Sequence, residues 1–152
     1  MHAEIQGEKN KAEGAPFVDF EMNDMDGKAH RLSEYVGKGQ YTLVDFWTSW
    51  CGPCRAEMPN VKACYEKYQD KGFSVVGISL DKDLQAWQNA TTQLGITWPQ
   101  LSDLQGWQCK AAGIYHILSI PSTILYSPEG KVIATNLSGD ELDDKLAELL
   151  EK

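Results

Sequence analysis

A seven-residue run, Tyr41-Thr42-Leu43-Val44-Asp45-Phe46-Trp47, leads almost directly into Trp50-Cys51-Gly52-Pro53-Cys54. The run is β-branched and aromatic with one charge, the pattern of a strand buried on both faces. After the cysteines, Val61, Cys64, Tyr65 and Tyr68 recur at helical spacing until Gly72. This strand-to-helix junction constrains the fold more than any other feature, and the rest of the chain repeats the alternation.

Phe73–Leu80 reads as a second buried strand. Asp81 or Asp83 is placed to cap a helix with Leu84, Trp87, Thr91 and Leu94 on one face and Gly95 at its end. Residues 96–105 read as irregular, and 106–113 as a short helix. Ser122–Tyr126 and Lys131–Thr135 flank Ser127-Pro128-Glu129-Gly130, the signature of an antiparallel hairpin. Ser138 and Glu141 have capping-box spacing ahead of a last helix with Leu142, Leu146 and Leu149 inward. Upstream, Phe17–Met22 and Lys28–Leu32 form a hairpin around Asp26-Gly27. Pro59 is expected to kink the helix that follows the cysteines. Residues 1–15 are polar and read as a flexible tail without the apolar stretch of a signal peptide. The order argues an α/β fold with parallel central strands and an antiparallel edge.

Composition narrows the function. The formal net charge is −8 and no basic stripe stands out, which disfavours nucleic acid as a partner. No run of 18 apolar residues is present, so no membrane span is expected. The four cysteines are too few for a disulfide scaffold. One C-x-x-C with scattered His2, His30 and His116 is a poor zinc pattern, so no metal ligands are assigned.

Cys51 sits where a helix begins, and the free N–H groups and dipole there favour a thiolate. Pro53 falls in the first turn, where its missing N–H is not needed. Cys54 is one turn on, placed to close a disulfide and resolve a mixed one. A plain structural disulfide is the bland alternative, which the intervening Gly52-Pro53 and the neighbouring Trp47 and Trp50 weaken. Those tryptophans read as exposed aromatics that give a substrate an apolar landing surface. Asp45 is the one charge in its strand; burial should raise its pKa and let it exchange a proton with Cys54. A paired structural aspartate is the alternative. Glu57, three residues after Cys54, either assists that proton transfer or complements the helix dipole. Cys64 reads as a small core residue. Cys109 reads as more exposed, with a regulatory Cys64–Cys109 disulfide as a minor reading.

The segment Val44–Cys54 resembles the active-site segment of thioredoxins, and Tyr115–Ser122 resembles their cis-proline loop. The longer start from Pro16 to Lys38, the longer stretch between Ser79 and Tyr115, and Cys54-Arg55-Ala56-Glu57-Met58-Pro59 resemble the TlpA/ResA-like thiol-disulfide oxidoreductases. The resemblance implies a thioredoxin fold over residues 16–152: a central mixed sheet flanked by helices, with an N-terminal hairpin and a central insertion. It implies Cys51 as nucleophile, Cys54 as resolving thiol, and Asp45 and Glu57 as the acids. It also implies that Pro121 is cis, that the Ile120 backbone pairs with a substrate strand, and that Trp50, Gly52 and Pro53 line the contact surface. No cofactor beyond the Cys51–Cys54 disulfide is implied. Expected partners are disulfide-containing proteins and an upstream electron donor; the expected state is a monomer in the bacterial envelope or periplasm, with a cytoplasmic thioredoxin-like role as the alternative. His116 and Ser119 depart from the glycines common in thioredoxins, and His116 reads as tolerating a turn conformation.

Two other functions are weighed. A peroxidase of the AhpC/TSA kind would use P-x-x-x-T-x-x-C; Thr48 fits, but Val44 replaces the proline and Cys54 is unusually close for a resolving cysteine. A metal carrier would use the two thiolates, but no histidine or methionine ligand motif accompanies them.

Overall fold

The computed structural model describes residues 3–151. In chain order the elements are α1 (Ala3–Asn10), β1 (Glu21–Asn23), β2 (Ala29–Arg31), β3 (Tyr41–Trp47), α2 (Gly52–Tyr68) and β4 (Phe73–Ser79). There follow α3 (Leu84–Leu94), β5 (Gln100–Leu101), α4 (Lys110–Ile114), β6 (Ser122–Tyr126), β7 (Val132–Thr135) and α5 (Asp140–Leu150). β1 and β2 pair as a small antiparallel hairpin. The other five strands form one mixed sheet in the order β5-β4-β3-β6-β7. β3, β4 and β5 run parallel, while β6 and β7 are antiparallel to their neighbours.

Period-two alternation in β3 divides the interior. Leu43 and Trp47 point to the face covered by α2, α3 and α5, where they meet Met58, Val61, Trp87, Leu142 and Leu146. Val44 and Phe46 point to the other face, against Met22 of the hairpin, Ala111 of α4 and Tyr115. Both faces are covered, which is why the strand reads as a near-continuous apolar run. Asp45 shares the α2 side of the sheet with Leu43 and Trp47.

Local chemistry sets the boundaries. Asp83 caps α3 by accepting from Gln85 N–H, and Gly95 ends it at φ 66°. Gly72, at φ 108°, turns the chain from α2 into β4. Leu84, expected on the inner face of α3, is exposed. α2 continues through Pro59. Only half of the expected capping box exists: Ser138 N–H donates to Glu141 Oε1 at 3.2 Å, while Gly139 is the N-cap and no side chain caps it.

The segment before residue 16 departs most from expectation. Instead of a flexible tail it carries α1, which packs against the end of α4. Asn10 Nδ2 donates to the Ile114 carbonyl at 2.9 Å, and Lys11 Nζ donates to the His116 carbonyl at 3.0 Å. A Cβ at Gly7 would stand 2.5 Å from His116 Cβ, so the glycine permits the close approach. His2 lies outside the described residues. His116 itself adopts φ 52°, the turn conformation expected of it.

Cys109 also departs from expectation: it is buried, as is Cys64, and neither is bonded. They belong to the packing on opposite faces of the sheet, which rules out a disulfide between them. Burial pushes each thiol up to about 11. The oxidised, folded protein should therefore be almost inert to a thiol reagent at neutral pH. Under denaturing conditions, before reduction, two thiols should react, Cys64 and Cys109.

Candidate active site

β3, the central strand, ends at Trp47, and α2 starts five residues later. Cys51 is the N-cap of α2, with extended φ −88° and ψ 107°. Its carbonyl accepts the first helical bond from Arg55 N–H at 3.0 Å. Its sulfur accepts Cys54 N–H at 3.2 Å, the place a serine or aspartate oxygen takes at other helix starts. Pro53 lies in the first turn, where no donor is missed. Cys51 and Cys54 are joined as a disulfide, with Cα atoms 5.2 Å apart. When the bond is reduced, the same N–H and the helix dipole favour charge on Cys51 Sγ.

The approach loop is held from two sides. Asp81 is 1% exposed. Its carboxylate accepts Ser49 N–H at 3.1 Å, Ser49 Oγ–H at 2.5 Å and Ser79 Oγ–H at 2.6 Å. Arg55 Nη1 donates to the Ser49 carbonyl at 3.1 Å and Nη2 to Gln93 Oε1 at 2.8 Å. Ser49, two residues before Cys51, is thus tied to both α2 and the β4–α3 loop. The sequence offered Asp81 only as a helix cap; Asp83 takes that task and leaves Asp81 to the loop.

The two tryptophans part company. Trp50 is 61% exposed beside the disulfide, as expected, whereas Trp47 is fully buried and donates from Nε1 to Gln100 Oε1 at 2.8 Å. Trp50 borders a cavity of about 430 Å³ whose wall also includes Asp81 and the half-exposed Trp107. Gly52 and Pro53 are exposed. Across from the pair, the Ile120–Pro121 bond is cis and the Ile120 carbonyl oxygen lies 3.8 Å from Cys51 Sγ.

Asp45 is 3% exposed and has no hydrogen-bond or ion-pair partner among the described residues. Burial, with a smaller contribution from the Glu57 charge, pushes its carboxyl up to about 7. Glu57 is half-buried and turned toward α5. Its Oε2 accepts Gly139 N–H at 3.0 Å and Asn60 Nδ2 at 2.7 Å. The structure therefore gives Glu57 a structural partner the sequence did not reveal, while keeping its charge close enough to act on Asp45.

Residues 14–135 match the AhpC/TSA family. The chain belongs to that family. It is 31% identical over 139 residues to the thiol-disulfide oxidoreductase ResA of Bacillus thuringiensis subsp. konkukian, covering 91% of this chain and 77% of the relative. ResA of Bacillus subtilis is 30% identical over 132 residues, covering 87% and 71%. Among solved structures, the thioredoxin domain of a thiol-disulfide oxidoreductase from Bacteroides vulgatus superposes with a TM-score of 0.83 at 32% identity, over 91% of this chain and 98% of that one. A thiol-disulfide oxidoreductase from Bacteroides fragilis gives 0.82 at 34%, over 89% and 99%. The fold is the thioredoxin fold. With the Cys51–Cys54 pair in place, the protein is a thiol-disulfide oxidoreductase of the TlpA/ResA-like kind.

The Asp45 environment has a measurable consequence. Its folded pKa lies above the ordinary carboxylate value, so it favours the fold most below about pH 4 and that contribution fades as pH rises through about 7. Compared with Asp45→Asn, the oxidised wild type should lose stability between pH 4 and 7 and level off above it. Urea midpoints across that range provide the check.

Proposed function

We propose that this protein reduces disulfides in other proteins, with Cys51 as nucleophile and Cys54 as resolving thiol. The single observation that carries the reading is the Cys54 N–H bond to Cys51 Sγ at a helix N-terminus. It favours charge on Cys51 and so selects the attacking sulfur.

In the reduced enzyme, Cys51 thiolate attacks one sulfur of the substrate disulfide. That S–S bond breaks, a mixed disulfide forms, and the displaced substrate sulfur leaves as thiolate. Asp45 carboxylate accepts the Cys54 proton. Cys54 then attacks Cys51 Sγ, forming the internal disulfide and releasing the second substrate sulfur, which is protonated. Two electrons pass from the pair to the substrate, and an upstream dithiol must return them. The substrate strand lies along the Ile120 backbone, in the manner of a strand added to a sheet edge, with Trp50, Gly52, Pro53 and Pro121 against it. Glu57 acts through its charge on Asp45.

The setting we infer is the bacterial envelope facing the periplasm, with the protein working as a monomer. The TlpA/ResA-like extensions support the location, and no described helix is long and apolar enough to cross a membrane.

Thr48 and the family's description favour a peroxidase as the second reading, in which Cys51 would attack peroxide. Val44 at the proline position and Cys54 three residues away oppose it. Fast peroxide consumption by the reduced protein would reinstate it.

Cys51→Ser should abolish exchange with a protein disulfide. Cys54→Ser should accumulate a mixed disulfide visible on a non-reducing gel; the absence of any adduct would defeat the mechanism. Equilibration with thiol–disulfide buffers, followed by tryptophan fluorescence, should give a potential near about −270 mV, that of a reductant. A value near about −120 mV would reverse the direction of electron flow.

A further inference from the structure

Two buried polar atoms without partners flank a buried carboxyl in one row across the sheet. Asp45 of β3 is in register with Gly77 of β4, and Gly77 with Gln100 of β5. On the other side Asp45 is in register with Thr123 of β6. Gln100 is 7% exposed and Thr123 8% exposed; Gln100 Nε2 and Thr123 Oγ1 have no hydrogen-bond partner. Burying such groups unpaired is unfavourable, so their gathering around one carboxyl demands a reason.

Gly77 supplies the geometry. A Cβ there would lie 2.1 Å from Gln100 Nε2 and 2.4 Å from Gln100 Oε1. The missing side chain therefore lets the Gln100 amide lie over β4, toward Asp45. Trp47 Nε1 holds the amide oxygen at 2.8 Å, which leaves Nε2 as the free end. Paired strands stand about 4.8 Å apart, so that N–H group lies about one strand spacing from the carboxyl, within reach through one water. Thr123 lies directly opposite Asp45 in the antiparallel pair, where side chains on one face stand about 5 Å apart.

We propose that Gln100 and Thr123 are positioning residues for the redox reaction: their N–H and O–H groups face Asp45 and set how tightly it holds its proton. The proposal rests on the reading of Asp45 as the proton acceptor for Cys54. Donors aimed at a carboxylate favour its charged form, so they oppose the burial that raises Asp45. Together the two influences keep the carboxyl able both to take and to return a proton near neutrality. From α2, Glu57 is the charged group that acts on Asp45 and the Cys51–Cys54 pair is the other titratable neighbour; from β4, β5 and β6 the described residues in its register row are Gly77, Gln100 and Thr123, none of them titratable.

The experiment is a carboxyl-carbon NMR titration of Asp45 in the oxidised protein, where the cysteines do not titrate, with Asp45→Asn assigning the resonance. Gln100→Leu and Thr123→Val remove the donors at nearly constant volume. Each should move the Asp45 midpoint upward, by about one pH unit for the loss of a donor that reaches the charged form through water. Gly77→Ala, which displaces the amide without deleting it, should act in the same direction. An unchanged midpoint in folded Gln100→Leu and Thr123→Val overturns the proposal. If Gln100→Leu does not fold, an unchanged midpoint in Thr123→Val alone overturns it. Exchange rates of Asp45→Asn test the proton role separately, because the titration reads the polar row whether or not that role holds.

Discussion

The structure depends on a sulfur atom serving as a helix cap. Every helix start leaves backbone N–H groups without intrahelical partners, and a side-chain acceptor at the N-cap is the ordinary remedy. Here the acceptor is Cys51 Sγ, held by the Cys54 N–H. The bond serves the fold in the disulfide form and favours the thiolate in the reduced form, because an anion gains more from the same donor than a neutral sulfur does. Gly52 and Pro53 fit that role: neither crowds the sulfur, and the proline lacks an N–H where none is wanted. The surrounding bonds serve to fix where this cap stands. Asp81 and Arg55 hold Ser49, so the loop between β3 and α2 carries little slack.

Asp45 meets the opposite environment only a few residues away. The helix start lowers the proton affinity of a sulfur, while the buried sheet face raises that of a carboxyl. In the proposed mechanism Asp45 takes its proton from Cys54, and a carboxyl raised toward neutrality can both accept and return that proton with little driving force lost. The price is a carboxyl that weakens the fold once it ionises. Glu57 adds to this tension through its charge, although its own oxygen is engaged with the start of α5.

The chain disclosed what depends on local pattern and withheld what depends on distant contacts. β3 and β4 are legible because both their faces are buried, and Asp45 stands out as the one charge in such a run. The N-cap position of Cys51 follows from strand-to-helix spacing. Trp47 and Trp50 differ because Trp47 belongs to a strand buried on both faces, whereas Trp50 lies beyond that strand. Cys109 adjoins a helix of only five residues, too short for its periodicity to report burial. α1 is polar and contains Gly7, so nothing local marks it as ordered; its partners, Ile114 and His116, are more than a hundred residues away. The second role of Glu57 depends on Gly139, 82 residues downstream. Gln100 sits in a stretch read as irregular, and only the sheet register brings it near Asp45.

The N-terminal extension gains a physical role from these same long-range contacts. The loop that carries Ile120 and Pro121 follows α4 and, in the proposed mechanism, presents its backbone to a substrate while having little regular structure of its own. Tyr115, at its start, exchanges two hydrogen bonds with Val18, donating to the carbonyl at 2.7 Å and accepting the N–H at 2.8 Å. Lys11 holds the carbonyl of His116, and Gly7 packs directly on that residue. Farther on, Ser122 Oγ donates to the Ser119 carbonyl at 2.6 Å and closes the loop on itself. Residues before β1 thus brace the segment leading into the cis-proline from behind, while the disulfide faces it from the front. A polar helix with little intrinsic tendency to form would order only when this loop is present to receive it, and the loop is steadied in return. The extension and the cis-proline loop are thus joined by direct contacts across about a hundred residues of chain.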